Sequence, residues 1–210
     1  MQELAYDPAI FNVTSLAHAK AIILTPDAKR TSDERWSAET EYLFGKISGY
    51  MPVDGASCLD YGCGIGRLAK PLIERRNWTV LGVDISPSMR RLAVDHVDSR
   101  RFIACDPVAL DAMCAFGARF DFALSVWALQ HMNRVADDIA RIAAALKPSG
   151  RLFVLNARQR FVPTREAWTH DGIDVIELLT EALIPMRIEG PDESIIPGPP
   201  SFWGVWEAPP

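Results

Sequence analysis

The chain has 210 residues, 49% hydrophobic and 23% charged, a balance that supports one globular domain with its own core and excludes wholesale disorder. Its formal net charge of -5 argues against the broad basic surface that nucleic acid phosphates require, so a nucleic acid partner is not expected. The pairs Arg75-Arg76, Arg90-Arg91 and Arg100-Arg101 are scattered, as solvated element ends are. Cys58, Cys63, Cys105 and Cys114 form no CxxC pair, and no secretory leader or membrane-spanning run is read, so reduced thiols and a cytoplasmic location are expected.

Residues 1–55 carry helical stretches without strand signals and are expected to form a helical cap on a core of residues 56–210. One cap helix opens with Thr31 and, three residues on, Glu34, the spacing of a capping box; it carries Arg35, Trp36, Glu39, Leu43 and Phe44. From 56 to 156, short apolar runs alternate with amphipathic stretches, the pattern of a parallel sheet covered by helices on both faces. Strands are predicted at 57–61, 79–84, 101–105, 120–126 and 151–156. A helix over 134–146 is expected to stop at Lys147-Pro148-Ser149-Gly150. A helix over 171–183, a short strand at 186–189 and a last strand at 201–207 follow, the final two pairing antiparallel.

The run Cys58-Leu59-Asp60-Tyr61-Gly62-Cys63-Gly64-Ile65-Gly66-Arg67 reads as a strand entering a glycine-rich turn and a helix. Gly62, Gly64 and Gly66 permit a sharp turn and close approach to a ligand, while amides at the following helix can meet an anionic end. The spacing is GxGxG, not the dinucleotide fingerprint GxGxxG, and Asp60 would repel a pyrophosphate. A carboxylate there suits an amino acid ammonium, which S-adenosylmethionine supplies together with a carboxylate for the loop amides. Asp84 closes the second strand 24 residues after Asp60, about where a ribose-binding acid belongs; its alternative is to cap the next helix. Asp106, before Pro107, has the same two readings, with the adenine amino group as its ligand.

The runs LDYGCGIGR, GVDIS, Cys105-Asp106, FDFALSVWALQHM and LKPSG together resemble the successive motifs of class I S-adenosylmethionine-dependent methyltransferases over about residues 56–156. The resemblance implies an α/β three-layer sandwich with a seven-stranded, mostly parallel sheet of order 3-2-1-4-5-7-6 whose last strand is antiparallel. It implies that Asp60, Gly62, Gly64, Gly66, Asp84 and Asp106 bind the cofactor, with Ile85 and Met89 as apolar neighbours of the adenosine and Val126 and Trp127 beside it. The methyl would pass in line to a small-molecule acceptor without a metal, leaving S-adenosylhomocysteine. There is no (D/N)PPY tetrapeptide, and no acidic metal cluster follows the fourth strand.

His131 titrates near neutrality when unperturbed and is a candidate general base, with helix capping or loop orientation as its alternative. Trp127 is read either as a wall facing the sulfonium or as a packed core residue. Arg35, Trp36 and Tyr61 are candidate acceptor contacts; ordinary helix packing for the first two, and a sheet position for Tyr61, are the alternatives. Two other functions share the pattern: a non-catalytic cofactor-binding module and a nicotinamide-dependent oxidoreductase. The acceptor, the atom methylated and the oligomeric state are not specified by these residues.

Overall fold

The computed structural model describes residues 5–25 and 30–210; residues 1–4 and 26–29 of the expected cap lie outside the described residues. The elements in chain order are α1 (Leu16–Ile23), α2 (Ser32–Ser48), β1 (Ser57–Tyr61), α3 (Ala69–Arg76), β2 (Thr79–Val83), α4 (Pro87–Val97), β3 (Phe102–Cys105), α5 (Pro107–Ala115), β4 (Phe120–Val126), α6 (Val135–Ala145), β5 (Leu146–Ala157), β6 (Val162–Pro163), β7 (Trp168–Thr169), α7 (Val175–Ala182), β8 (Ile184–Glu189) and β9 (Ser201–Glu207). Short 3-10 turns stand at Pro8–Phe11 and Leu129–His131.

The sheet has seven strands in the order β3-β2-β1-β4-β5-β9-β8. β1 to β5 are parallel, and β9 runs antiparallel to both β5 and β8. Successive strand residues alternate faces, so β1 sends Leu59 and Tyr61 into one core and Cys58 into the other. The first core is closed by Leu110 of α5, Ile139 and Ile142 of α6 and Leu179 of α7. The second is closed by Leu43 and Ile47 of α2, Leu72 of α3 and Ala93 and Val97 of α4. The expected cap helix is therefore packed under the sheet through its C-terminal half. Its start is the predicted capping box: Glu34 N donates to Thr31 Oγ1 (3.2 Å), and Thr31 N donates to Glu34 Oε2 (2.7 Å).

Four features depart from the sequence reading, one of them β8, which begins at Ile184, two residues earlier than expected. β5 begins at Leu146, so Lys147-Pro148-Ser149-Gly150 is not a turn between helix and strand but an irregularity inside the strand. Phe120 pairs with Leu146 and Phe122 with Arg151, and Ser149 takes a left-handed φ of 58° to absorb the extra residues. α7 starts four residues later than expected, at Val175, because Asp174 caps it through Ile176 N (2.8 Å). The two-residue strands β6 and β7 form a separate ribbon that alternation cannot reveal at such length. Tyr6 bridges to Thr164 of the turn joining them, and Asp7 N donates to Pro163 O (3.0 Å), tying the N-terminal segment to the ribbon.

Candidate active site

β1, β2 and β4 all end at the same edge of the sheet, where open α/β folds bind ligands, and a cavity of about 850 Å³ lies over that edge. The glycine turn forms its floor. Gly62 has φ +79°, and a Cβ there would lie 2.3 Å from the Ala128 Cβ, so only glycine lets the turn pass beneath the chain leaving β4. Gly62 N and Cys63 N both donate to Val83 O (2.7 and 3.0 Å), Gly66 N donates to Cys63 O (2.8 Å) and Gly64 N to Asp84 Oδ2 (2.9 Å). These four amides are engaged within the turn itself, so an anionic end of a ligand would have to meet other donors.

Asp60, the last residue but one of β1, lines the cavity and is 4% exposed, yet its carboxylate has no hydrogen bond among the described residues. Burial raises its pKa to about 7, opposed by the nearby Arg67 charge and assisted by that of Asp84. Arg67 lines the same wall. Its guanidinium is pushed down to about 10 by burial; Nη1 lies 3.7 Å from Glu39 Oε2, and neither atom has a hydrogen-bond partner among the described residues. Glu39, fully buried, takes Arg35 Nε and Nη2 on its other oxygen (2.9 and 2.6 Å), and Arg35 Nη1 donates to Thr25 O (2.5 Å). The chain Arg35–Glu39–Arg67 thus runs from the cap to the glycine turn, a feature the sequence reading missed although all three residues stood inside recognised elements. Trp36 does not line the cavity; it packs edge-on against His96 and beneath the Arg67 guanidinium.

Asp84 accepts from Gly64 N through Oδ2 and from Ser86 N through Oδ1 (2.9 Å each), and burial raises its pKa to about 6. The cap of α4 is Ser86, whose Oγ accepts from Met89 N (3.2 Å). Ile85 and Met89 both line the cavity, Ile85 with half its surface exposed and Met89 buried. Asp106 is the cap of α5, accepting from Ala109 N (2.9 Å), with its second oxygen 3.9 Å from Arg90 Nη2; Pro107 lines the cavity and Asp106 does not.

The other side of the cavity is assembled by the chain after β4, where Val126 and Trp127 line the wall. Trp127 has a left-handed φ of 57°, held by its N–H on Leu155 O (2.8 Å), and its buried Nε1 has no partner among the described residues. Gln130 fixes the following turn: its Oε1 accepts from Ala157 N (2.7 Å), so its Nε2 must be the group facing His131 Nε2 (3.0 Å). His131 Nδ1 therefore carries the proton and donates to Phe161 O (2.7 Å). Burial depresses the imidazole to about 4, the nearby Arg160 charge adding to this and the Phe161 hydrogen bond opposing it. With both nitrogens engaged, His131 has the geometry of its alternative reading, an orienting residue, and not that of a free base. Arg160, wholly buried, pairs with Asp171 (2.9 Å) and donates to Leu129 O and Met132 O (2.8 and 2.5 Å), clamping the turn to the segment before the ribbon. Phe11 and Trp168 pack on the His131 ring, at 5.8 and 5.1 Å between centroids. Tyr61 sends its hydroxyl to Asp138 Oδ1 (2.5 Å) on α6.

Among the described residues, no group of three or more histidines, cysteines or acids is placed to hold a metal, and no helix is long and apolar enough to cross a membrane. A buried carboxylate and a guanidinium without full partners on one wall are complementary to a zwitterion. A further acid, Asp84, follows the end of β2, where open α/β nucleotide folds carry a ribose-binding carboxylate.

A family model described as a methyltransferase domain matches residues 28–186. The chain belongs to that family of methyltransferase domains and has the class I fold of S-adenosylmethionine-dependent methyltransferases. It is 30% identical over 106 residues to a ubiquinone biosynthesis O-methyltransferase of Methylobacterium sp. (strain 4-46), covering 50% of this chain and 42% of the relative, so the chain spans less than half of that protein. Among solved structures it resembles magnesium protoporphyrin IX methyltransferase from Synechocystis PCC 6803 with bound S-adenosylhomocysteine (17% identity, TM-score 0.66, 95% and 96% of the two chains). It also resembles a cyclase (17% identity, TM-score 0.66, 89% and 86%). At these identities the structures speak to the fold alone.

Proposed function

We propose that the protein transfers the methyl group of S-adenosylmethionine to a small acceptor, with a hydroxyl oxygen as the atom methylated. The observation that carries this is Asp60, buried at the cavity edge without a hydrogen bond and in reach of the Arg67 charge. Asp60 would meet the donor's ammonium; Arg67, with Arg35 behind Glu39, would meet its carboxylate in place of the loop amides. Asp84 would accept the ribose hydroxyls, with Ile85, Met89 and Pro107 flanking the adenine. Asp106 contributes by holding the start of α5.

The cofactor supplies an activated methyl group, so the chain's own task is to align the acceptor and keep water away. Phe11, His131, Phe161 and Trp168 wall the acceptor side, and the N-terminal segment and ribbon cover it together through the Tyr6–Thr164 bridge. The choice of oxygen follows the curated relatives, which are named for O-methyl transfer. A related fold described as a cyclase is the reason to test turnover directly, since a fold does not fix a reaction. Calorimetry should give binding of S-adenosylmethionine and S-adenosylhomocysteine and none of NAD. Binding of NAD without response to either adenosyl ligand would sink the proposal.

A further inference from the structure

Asp138 lines the cavity from the first turns of α6, and its two oxygens differ. Oδ1 accepts from the Tyr61 hydroxyl (2.5 Å) and from Arg141 Nη1 (2.7 Å), and Arg141 is braced in turn by Asp111 of α5 (2.6 and 3.1 Å). Oδ2 has no hydrogen-bond partner among the described residues, and the side chain keeps 18% of its surface open. A carboxylate locked through one oxygen and open through the other is a preorganised hydrogen-bond acceptor.

The charged and titratable groups near it are Tyr61 from β1, Asp137 and Arg141 from its own helix, Arg160 from the segment before β6, and Tyr6 from the N-terminal segment. Burial holds Asp138 above the ordinary carboxylate range, opposed by the Tyr61 hydrogen bond and the Arg141 charge. Tyr6 is pushed up to about 12 by burial and by the Asp138 and Asp84 charges, so it stays protonated and is no base. His131 has both nitrogens engaged. Arg134 is paired with Asp137 (2.6 Å), as Arg141 is with Asp111 and Asp138, so among the described residues lining this side each arginine is paired, and Arg160 behind them is paired with Asp171. The rings of Tyr6, Phe11, Phe161 and Trp168 also line the cavity.

We infer that the acceptor is a neutral, hydroxyl-bearing ring compound and that Asp138 Oδ2 takes the proton of that hydroxyl as its oxygen is methylated. This rests on the methyl-transfer reading above. In the step, a lone pair of the acceptor oxygen forms the new O–C bond while the S–C bond breaks and leaves its electron pair on sulfur, giving the thioether product. The O–H bond breaks, its proton passes to Oδ2 and later to solvent, and its electron pair stays on the oxygen. Tyr61 and Arg141 are positioning residues that hold Oδ1.

The probe is 4-nitrophenol, added to the protein loaded with S-adenosylhomocysteine and followed by the absorbance change on its ionisation. Beside an ionised Asp138 the bound phenol keeps its proton to higher pH than free in solution, because a phenolate there would face a like charge. In Asp138→Asn, which retains an oxygen for Tyr61, the bound titration moves back to lower pH while S-adenosylhomocysteine affinity stays within about twofold. With S-adenosylmethionine, Asp138→Asn slows methylation of phenol by about 100-fold, the scale of a lost general base, and that of the more acidic 4-nitrophenol much less. Identical titrations in both proteins, or equal losses for both phenols, would overturn the role of Asp138. Absence of 4-nitrophenol binding or of methylation of either phenol, with S-adenosylhomocysteine still bound, would overturn the acceptor class. Absence of S-adenosylhomocysteine binding would instead overturn the methyl-transfer reading on which both rest.

Discussion

The two halves of the cavity are built on different principles. The half at the ends of β1 and β2 is set by adjacent buried strands: Asp60 pairs opposite Gly82 in the ladder, and the glycine turn is tied to Asp84 by Gly64 N donating to its Oδ2 (2.9 Å). The half beyond β4 is made of pieces far apart in sequence. Arg160 reaches back to Leu129 and Met132, Phe161 to His131, and the N-terminal segment to the ribbon. A half fixed by strand geometry can serve a constant ligand, whereas one assembled from turns and side-chain clamps can vary with the acceptor.

This difference is sharpest at Arg160. Arg160→Ala should cost about 3–5 kcal/mol of unfolding free energy, because Asp171 and two backbone carbonyls lose a wholly buried partner. Denaturant melts would measure it; a loss under 1 kcal/mol would mean that the clamp does not organise the acceptor half. Asp84→Ala should weaken S-adenosylhomocysteine binding by about 1.5–3 kcal/mol, the scale of hydrogen bonds to a charged group, by calorimetry. Unchanged affinity would remove the β2 acid from the donor half. Asp106→Ala should do the reverse: lose about 1 kcal/mol of stability as a missing helix cap, with cofactor affinity unchanged. A large affinity loss would return Asp106 to the cofactor site.

The same contrast governs what the sequence revealed. Asp60, Gly62 and Asp84 were legible because strand, turn and helix follow one another at short spacing, and the seven sheet strands were found from their apolar runs, with end positions shifted at β5 and β8. The Asp106 cap was visible as an alternative in Asp-Pro, and Ala109 N donating to its Oδ1 (2.9 Å) forms that cap. His131 was found with a base and an orienting role both open, since nothing local predicts that Gln130 and Phe161 occupy both its nitrogens. Arg160 and Asp138 gave no signal, for a buried arginine and a half-open carboxylate are defined by partners up to 77 residues away. Arg67 and Glu39 were in view, yet their meeting depends on how α2 packs against the turn.

The central claim is that Asp60 serves an ammonium group, and pH tests it through the raised pKa of about 7. In the ligand-free protein the native state holds this proton between about pH 4 and 7 while the unfolded chain has released it, so this group makes stability fall as pH rises through that window. Binding of an ammonium needs the ionised form and reverses the trend. The decisive measurement is calorimetry of S-adenosylhomocysteine at pH 6.5 and 8.0 with wild type and Asp60→Asn. Asp84, at about 6, is already largely ionised at the lower value and contributes little to the difference. Affinity should rise several-fold with pH in wild type, and Asp60→Asn should bind more weakly with that rise largely gone; the same rise in both proteins would contradict the account.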